Sequence, residues 1–133
     1  MDTKDLPFPK HPIRQANKAA KQAAAKAFRE AVWIRDGGRD RANGAVLLKA
    51  GNTMRESGNV CHLQSRQSHA DRKTDPTNAV LLSDYHHILS DHRGGRLLRL
   101  TDPETGAPAM DGSKPIRFTL FDTRGKVVWE RVS

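Results

Sequence analysis

Five of the six histidines and the only cysteine of the chain fall within residues 61–92, CHLQSRQSHADRKTDPTNAVLLSDYHHILSDH. Histidine has an ordinary pKa near neutrality, so it suits proton transfer to and from water. His87 and Asp91 are four residues apart. On a helix that spacing turns both side chains the same way, so they can share one ion. A carboxylate is a hard donor suited to Mg²⁺ or Mn²⁺, whereas a thiolate at Cys61 would favour Zn²⁺ or Ni²⁺. Cys61 reads equally as a small buried hydrophobe. Asn78 follows Pro76, where asparagine commonly caps a turn.

These residues need elements to hold them. The pattern predicts a short strand over residues 59–63 and then a long polar loop. A second short strand follows over residues 79–82, and a helix over residues 84–92 carries His86, His87 and Asp91. That order sets a histidine at a strand end opposite metal-ligand types on a helix.

The arrangement resembles the HNH nuclease family, whose fold is the ββα-metal hairpin and helix. The matching residues are His62, Asn78 and His87, with DPTNAVLL around the asparagine and HH opening the helix. AVWIRDGGRDRANG, residues 31–44, is similar to the stretch leading into the family's first zinc knuckle. The matching segments cover roughly half of the chain. The resemblance implies an α+β fold with a ββα-metal core over about residues 58–93. It implies His62 as general base, Asn78 as the brace that orients it, and His87 with Asp91 as ligands of one divalent ion. Mg²⁺ or Mn²⁺ is favoured, and Zn²⁺ or Ni²⁺ would follow if Cys61 also ligates. Many family members hold a structural zinc on two C-x-x-C knuckles. Here those positions carry Asp40, Asn43, Ser83 and His86, so no structural zinc is expected and His86 becomes a structural residue. His92 reads as a solvent-exposed neighbour. Arg66, Arg72 and Lys73, in the loop between base and asparagine, are expected to contact phosphates. The activity implied is metal-dependent hydrolysis of DNA phosphodiesters, double-stranded DNA first, with little sequence preference. The alternative is a non-catalytic nucleic-acid-binding module on a decayed form of the same fold.

Composition agrees with a polyanionic partner. The chain has 133 residues, 36% of them hydrophobic, and a formal net charge of +8. Its pI is about 10.2 and its mean hydropathy −0.72. The first 35 residues carry eight Lys/Arg against three Asp/Glu. Bound Lys and Arg release condensed counterions from phosphates, which favours nucleic acid. A lone cysteine excludes an intramolecular disulfide framework. MDTKDLPFPK lacks the apolar segment of a signal peptide, and no long apolar run follows, so a cytoplasmic protein without a membrane span is expected.

Around the central stretch, residues 1–15 hold three of the seven prolines and read as a flexible arm. Residues 16–35 read as the longest helix, with Ala20, Ala24, Ala27, Phe28, Ala31 and Ile34 on its apolar face and Lys18, Lys21, Lys26 and Arg29 off it. Gly37 and Gly38 should stop it. Residues 46–48 are too short a run to assign. Gly94 and Gly95 end the second helix, residues 97–100 form a strand, and residues 101–115 form a loop. Residues 116–122 and 126–132 alternate as a hairpin, with Phe118, Leu120, Val127 and Trp129 as core candidates. Residues 16–133 are thus expected to form one domain.

Overall fold

Side-chain alternation decides the centre of the fold. The computed structural model describes residues 12–65, 68–90 and 97–133. In it β1 (Gly58–His62) and β2 (Ala79–Ser83) pair antiparallel, with Cys61 opposite Val80 and His62 opposite Ala79. Successive strand side chains point to opposite faces. Val60, Ala79 and Leu81 pack on one face with Phe28, Val32 and Leu47. Cys61, Val80 and Leu82 pack on the other with Leu98, Ala109, Ile116 and Phe118. Every residue of β2 is buried, which is why AVLLS reads as a continuous apolar run.

The first face is covered by α1 (Pro12–Arg35). It begins inside the stretch expected to be an arm, because proline is accommodated in the first helical turn, where its missing N–H is no loss. Residues 1–11 lie outside the described residues. The buried face also differs from expectation. Phe28 and Val32 are buried, whereas Ala20, Ala24, Ala27 and Ala31 are exposed and Ile34 is 77% exposed. Burial follows the large side chains, and alanine offers too little area to orient a helix. Gly37 and Gly38 both adopt φ +66° and end the helix as expected.

The segment after α1 then runs along the outer edge of β2. Arg35 Nη2 donates to the Ala79 carbonyl at 2.6 Å, and the Leu81 amide donates to Asp36 Oδ2 at 2.8 Å. The Arg41 amide donates to the Leu81 carbonyl at 2.9 Å, and the Ser83 amide donates to Asp40 Oδ2 at 3.0 Å. Asp36 is held in turn by Arg35 and Arg41 at 2.9 and 3.1 Å. Residues 46–48 form only isolated bridges, Arg39 with Val46 and Leu48 with Ser57.

α2 (Asp84–Ser90) follows β2 without a break. The expected end of this helix, with Asp91, His92, Gly94 and Gly95, lies outside the described residues. The second face of the hairpin is covered by a sheet of β3 (Leu98–Thr101), β4 (Arg117–Phe121) and β5 (Val127–Val132), in the order β3-β4-β5. Phe118 is fully buried, and Leu120 and Trp129 pack against the same core. Val127 does not, at 49% exposed. A register shift between Leu120 and Phe121 pairs Val127 with Phe121, and one extra residue turns a side chain to the opposite face. The architecture is α+β, a long helix and a short one with two small antiparallel sheets. No helix of the described residues is long and apolar enough to cross a membrane.

Candidate active site

His62 stands at the last position of β1, and two contacts fix its ring. Phe28 of α1 stacks on it with centroids 5.1 Å apart and planes at 26°. Its Nε2 lies 2.8 Å from the Lys73 carbonyl oxygen. A carbonyl only accepts, so Nε2 carries the hydrogen and donates. In the neutral ring the lone pair is therefore on Nδ1, the nitrogen left to take a proton. A histidine whose tautomer is set this way is arranged for base chemistry at a defined atom.

The Lys73 carbonyl is itself held in place through Asn78. Asn78 is fully buried at the end of a 3-10 turn, Pro76–Asn78. Its Oδ1 accepts from the Gln64 amide at 2.8 Å, and its Nδ2 donates to the carbonyls of Gln64 at 3.2 Å and Arg72 at 3.1 Å. One side chain thereby ties both ends of the loop between the strands. The turn is shaped locally by Asp75, which accepts from the Thr77 amide and hydroxyl. Those two hydrogen bonds, with Arg72 nearby, hold the Asp75 carboxyl below its ordinary range despite some desolvation. Asn78 thus braces the loop through three hydrogen bonds.

Arg72 departs from its expected role as a phosphate contact. Its guanidinium donates to Gln64 Oε1, to Thr77 Oγ1 at 3.2 Å and to the Met110 carbonyl at 2.9 Å, and it pairs with Asp75 at 3.5 Å. Its donors are taken up inside the loop, so it staples the loop to residue 110 and is withdrawn from solvent anions. Lys73 is exposed beside the His62 ring, on the wall of the same cleft. Arg66 lies outside the described residues.

His87, on α2, reaches the same place. Two hollows of about 420 Å³ each meet at His62 and His87, which line both. One is bounded by Phe28, Arg29, Lys73 and Thr74 of the α1 side. The other is bounded by Cys61, Ser65, Ser90 and the β3 residues Leu98–Thr101. The His87 imidazole makes no hydrogen bond among the described residues, so its nitrogens are available to a ligand. Cys61 is 5% exposed in the second core, 3.5 Å from the Asn59 carbonyl, and lines the second hollow. Among the described residues no three His, Cys, Asp or Glu side chains converge as a metal-holding group. Asp91, the expected partner of His87, lies outside the described residues.

Of the four positions where the resemblance would put zinc cysteines, Asp40, Ser83 and His86 form a hydrogen-bonded cluster and Asn43 stands apart from it. His86 Nδ1 donates to Asp40 Oδ2 at 2.6 Å, and the Ala42 amide donates to Asp40 Oδ1 at 2.7 Å. The Ser83 hydroxyl accepts from the His86 amide at 3.1 Å, and Asn43 Oδ1 caps the Ala45 amide at 2.9 Å. Burial raises the Asp40 carboxyl, but His86 and the Ser83 and Ala42 amides outweigh it, so its pKa lies below the ordinary value of 3.8. The Trp129 ring closes the far side of His86 edge-on at 5.9 Å. This cluster joins the segment after α1 to the start of α2, and so fixes the helix that presents His87.

Sequence reasoning missed Phe28 as the His62 platform, Arg72 as a staple, and the Arg35–Asp36–Arg41 network. Phe28 was legible only as a large apolar residue. Arg72 reaches the Met110 carbonyl across 38 residues and the network acts across 41 to 92, where spacing carries no signal. The chain matches no protein-family model, no curated protein and no solved structure.

Proposed function

We propose that the chain is a metal-dependent endonuclease of the HNH kind, built on a ββα-metal core and hydrolysing DNA phosphodiester bonds with little sequence preference. The observation that carries this reading is the convergence of three groups. The His62 ring has its tautomer set by the Lys73 carbonyl, the loop supplying that carbonyl is braced by Asn78, and His87 lines the same cleft as His62. In the proposed reaction a water oxygen attacks phosphorus as His62 Nδ1 takes its proton, the bond from phosphorus to the leaving sugar oxygen breaks with its electron pair on that oxygen, and the sugar oxygen takes a proton from solvent water. Phe28 and the Lys73 carbonyl keep the ring from turning during that transfer. Asn78 acts through the loop and touches no reacting atom.

A divalent ion fits the His87 wall of the cleft, because that imidazole makes no hydrogen bond among the described residues and the donor is nitrogen. His87 would hold it, with Asp91 as the second ligand, and Mg²⁺ or Mn²⁺ is the ion proposed. When bound, the ion supplies positive charge to the phosphate and leaving oxygens. Cys61 is proposed as packing rather than ligand, since its sulfur sits in the second core.

The test is nicking of supercoiled plasmid with Mg²⁺, Mn²⁺, Zn²⁺ or Ni²⁺, comparing the native chain with His62→Ala. The variant should lose about 10²–10⁴-fold in rate and keep its DNA affinity. Equal cleavage by the variant would remove His62 as the base. Binding without cleavage in every metal would favour a non-catalytic binding module.

A further inference from the structure

Residues 13–24 of α1 are all exposed, and Ala25 is the first half-buried residue of the helix. The helix therefore overhangs the hairpin by twelve residues, about 18 Å at 1.5 Å per residue. Its underside has a particular composition. Arg14, Lys18, Lys21, Ala25, Phe28 and Val32 recur at steps of four and three, so they form one stripe. Where that stripe meets the hairpin it is apolar and buried. Where it leaves the body it is cationic.

The cationic part encloses space with the body. Arg14, Lys18 and Lys21 line a hollow of about 500 Å³ whose facing wall is Lys73. That hollow shares Ala25 and Lys73 with the His62 cleft, so the two are continuous. Among the described residues no carboxylate lines it. A stripe at this spacing is also the seam of a coiled coil, but three cations on the seam would repel a second copy of the same helix.

We propose that the overhang of α1 is a phosphate clamp, in which Arg14, Lys18 and Lys21 above and Lys73 below grip the backbone of duplex DNA beside the cleft. The assignment rests on the nuclease reading for its choice of DNA. An overhang of about 18 Å spans about five base pairs at 3.4 Å each, so the clamp holds flanking duplex while the His62 cleft holds the reacting phosphate. The contacts are to backbone charge and carry no base readout.

The experiment measures binding and needs no turnover. Fluorescence anisotropy of a labelled duplex is recorded with His62→Ala protein in EDTA over a range of salt. The clamp variant adds Arg14→Ala, Lys18→Ala and Lys21→Ala, which are exposed positions where alanine keeps helix propensity. A control adds Arg124→Ala and Lys126→Ala in the β4–β5 turn, which lines neither hollow. The slope of log K against log salt should fall by about two to three units in the clamp variant, near 0.9 per lost phosphate contact, and by less than one in the control. Equal losses in the two variants would overturn the clamp, as would displacement of duplex by polyglutamate at lower charge concentration than by unlabelled duplex, which would mark an acidic protein as the occupant. A native chain that binds through the clamp but cleaves nothing would leave the clamp standing and defeat the nuclease reading.

Discussion

Asn78→Ala separates bracing from chemistry. The substitution removes three side-chain hydrogen bonds, from the Gln64 amide and to the Gln64 and Arg72 carbonyls. At about 1 kcal/mol net for each, the loss is about 3 kcal/mol. For a chain of this length that lowers the melting temperature by about 10 °C. The functional effect is indirect. Without the Arg72 anchor the neighbouring Lys73 carbonyl is no longer held at His62 Nε2, and the neutral ring divides between its two tautomers. Two-bond ¹H–¹⁵N correlation spectra report that ratio directly, and calorimetry reports the stability. Cleavage should fall about 10–100-fold even well below the new melting temperature. An unchanged melting temperature, or a His62 that stays wholly in its Nε2–H form, would refute the brace.

Two further outcomes follow from the packing. Asp40 has a folded pKa below its ordinary 3.8, so its contribution is fully present above pH 3.8 and is lost as pH falls through the folded value. Asp40→Asn should therefore lose about 1–3 kcal/mol at neutral pH, because an amide nitrogen would meet the Ser83 and His86 donors, and should unfold with a shallower pH dependence below about pH 4, measured by denaturant titration. Gly112 lies so close to β2 that a Cβ there would collide with the Ala79 carbonyl oxygen. Gly112→Ala should cost about 1–3 kcal/mol and shift the Arg35 and Arg41 contacts, visible as a melting temperature below that of the native chain.

The two central strands and α2 were legible because short apolar runs between proline, asparagine and a long polar loop leave few alternatives. His62, Asn78 and His87 were legible as a set, and the structure brings His62 and His87 to one cleft with Asn78 behind the loop. The buried face of α1 was read only in part: Phe28 was placed on it, but four alanines and Ile34 were set beside it where Val32 fills the interface. Arg72 was misread because a lysine- and arginine-rich loop looks solvated until its distant carbonyl partners are known. Val127 was misread because a β-bulge leaves no mark in an alternating pattern.

The row of side chains and amides along the outer edge of β2 has a consequence for solubility. AVLLS is the most apolar strand of the chain, and an open edge of such a strand is a template for pairing with another molecule. Here the outward groups of residues 79, 81 and 83 are already engaged by Arg35, Asp36, Asp40 and Arg41. Arginine and aspartate on that edge act as gatekeepers against aggregation. The charged segment RDGGRDR thus lets a fully buried strand end a sheet without recruiting a neighbour.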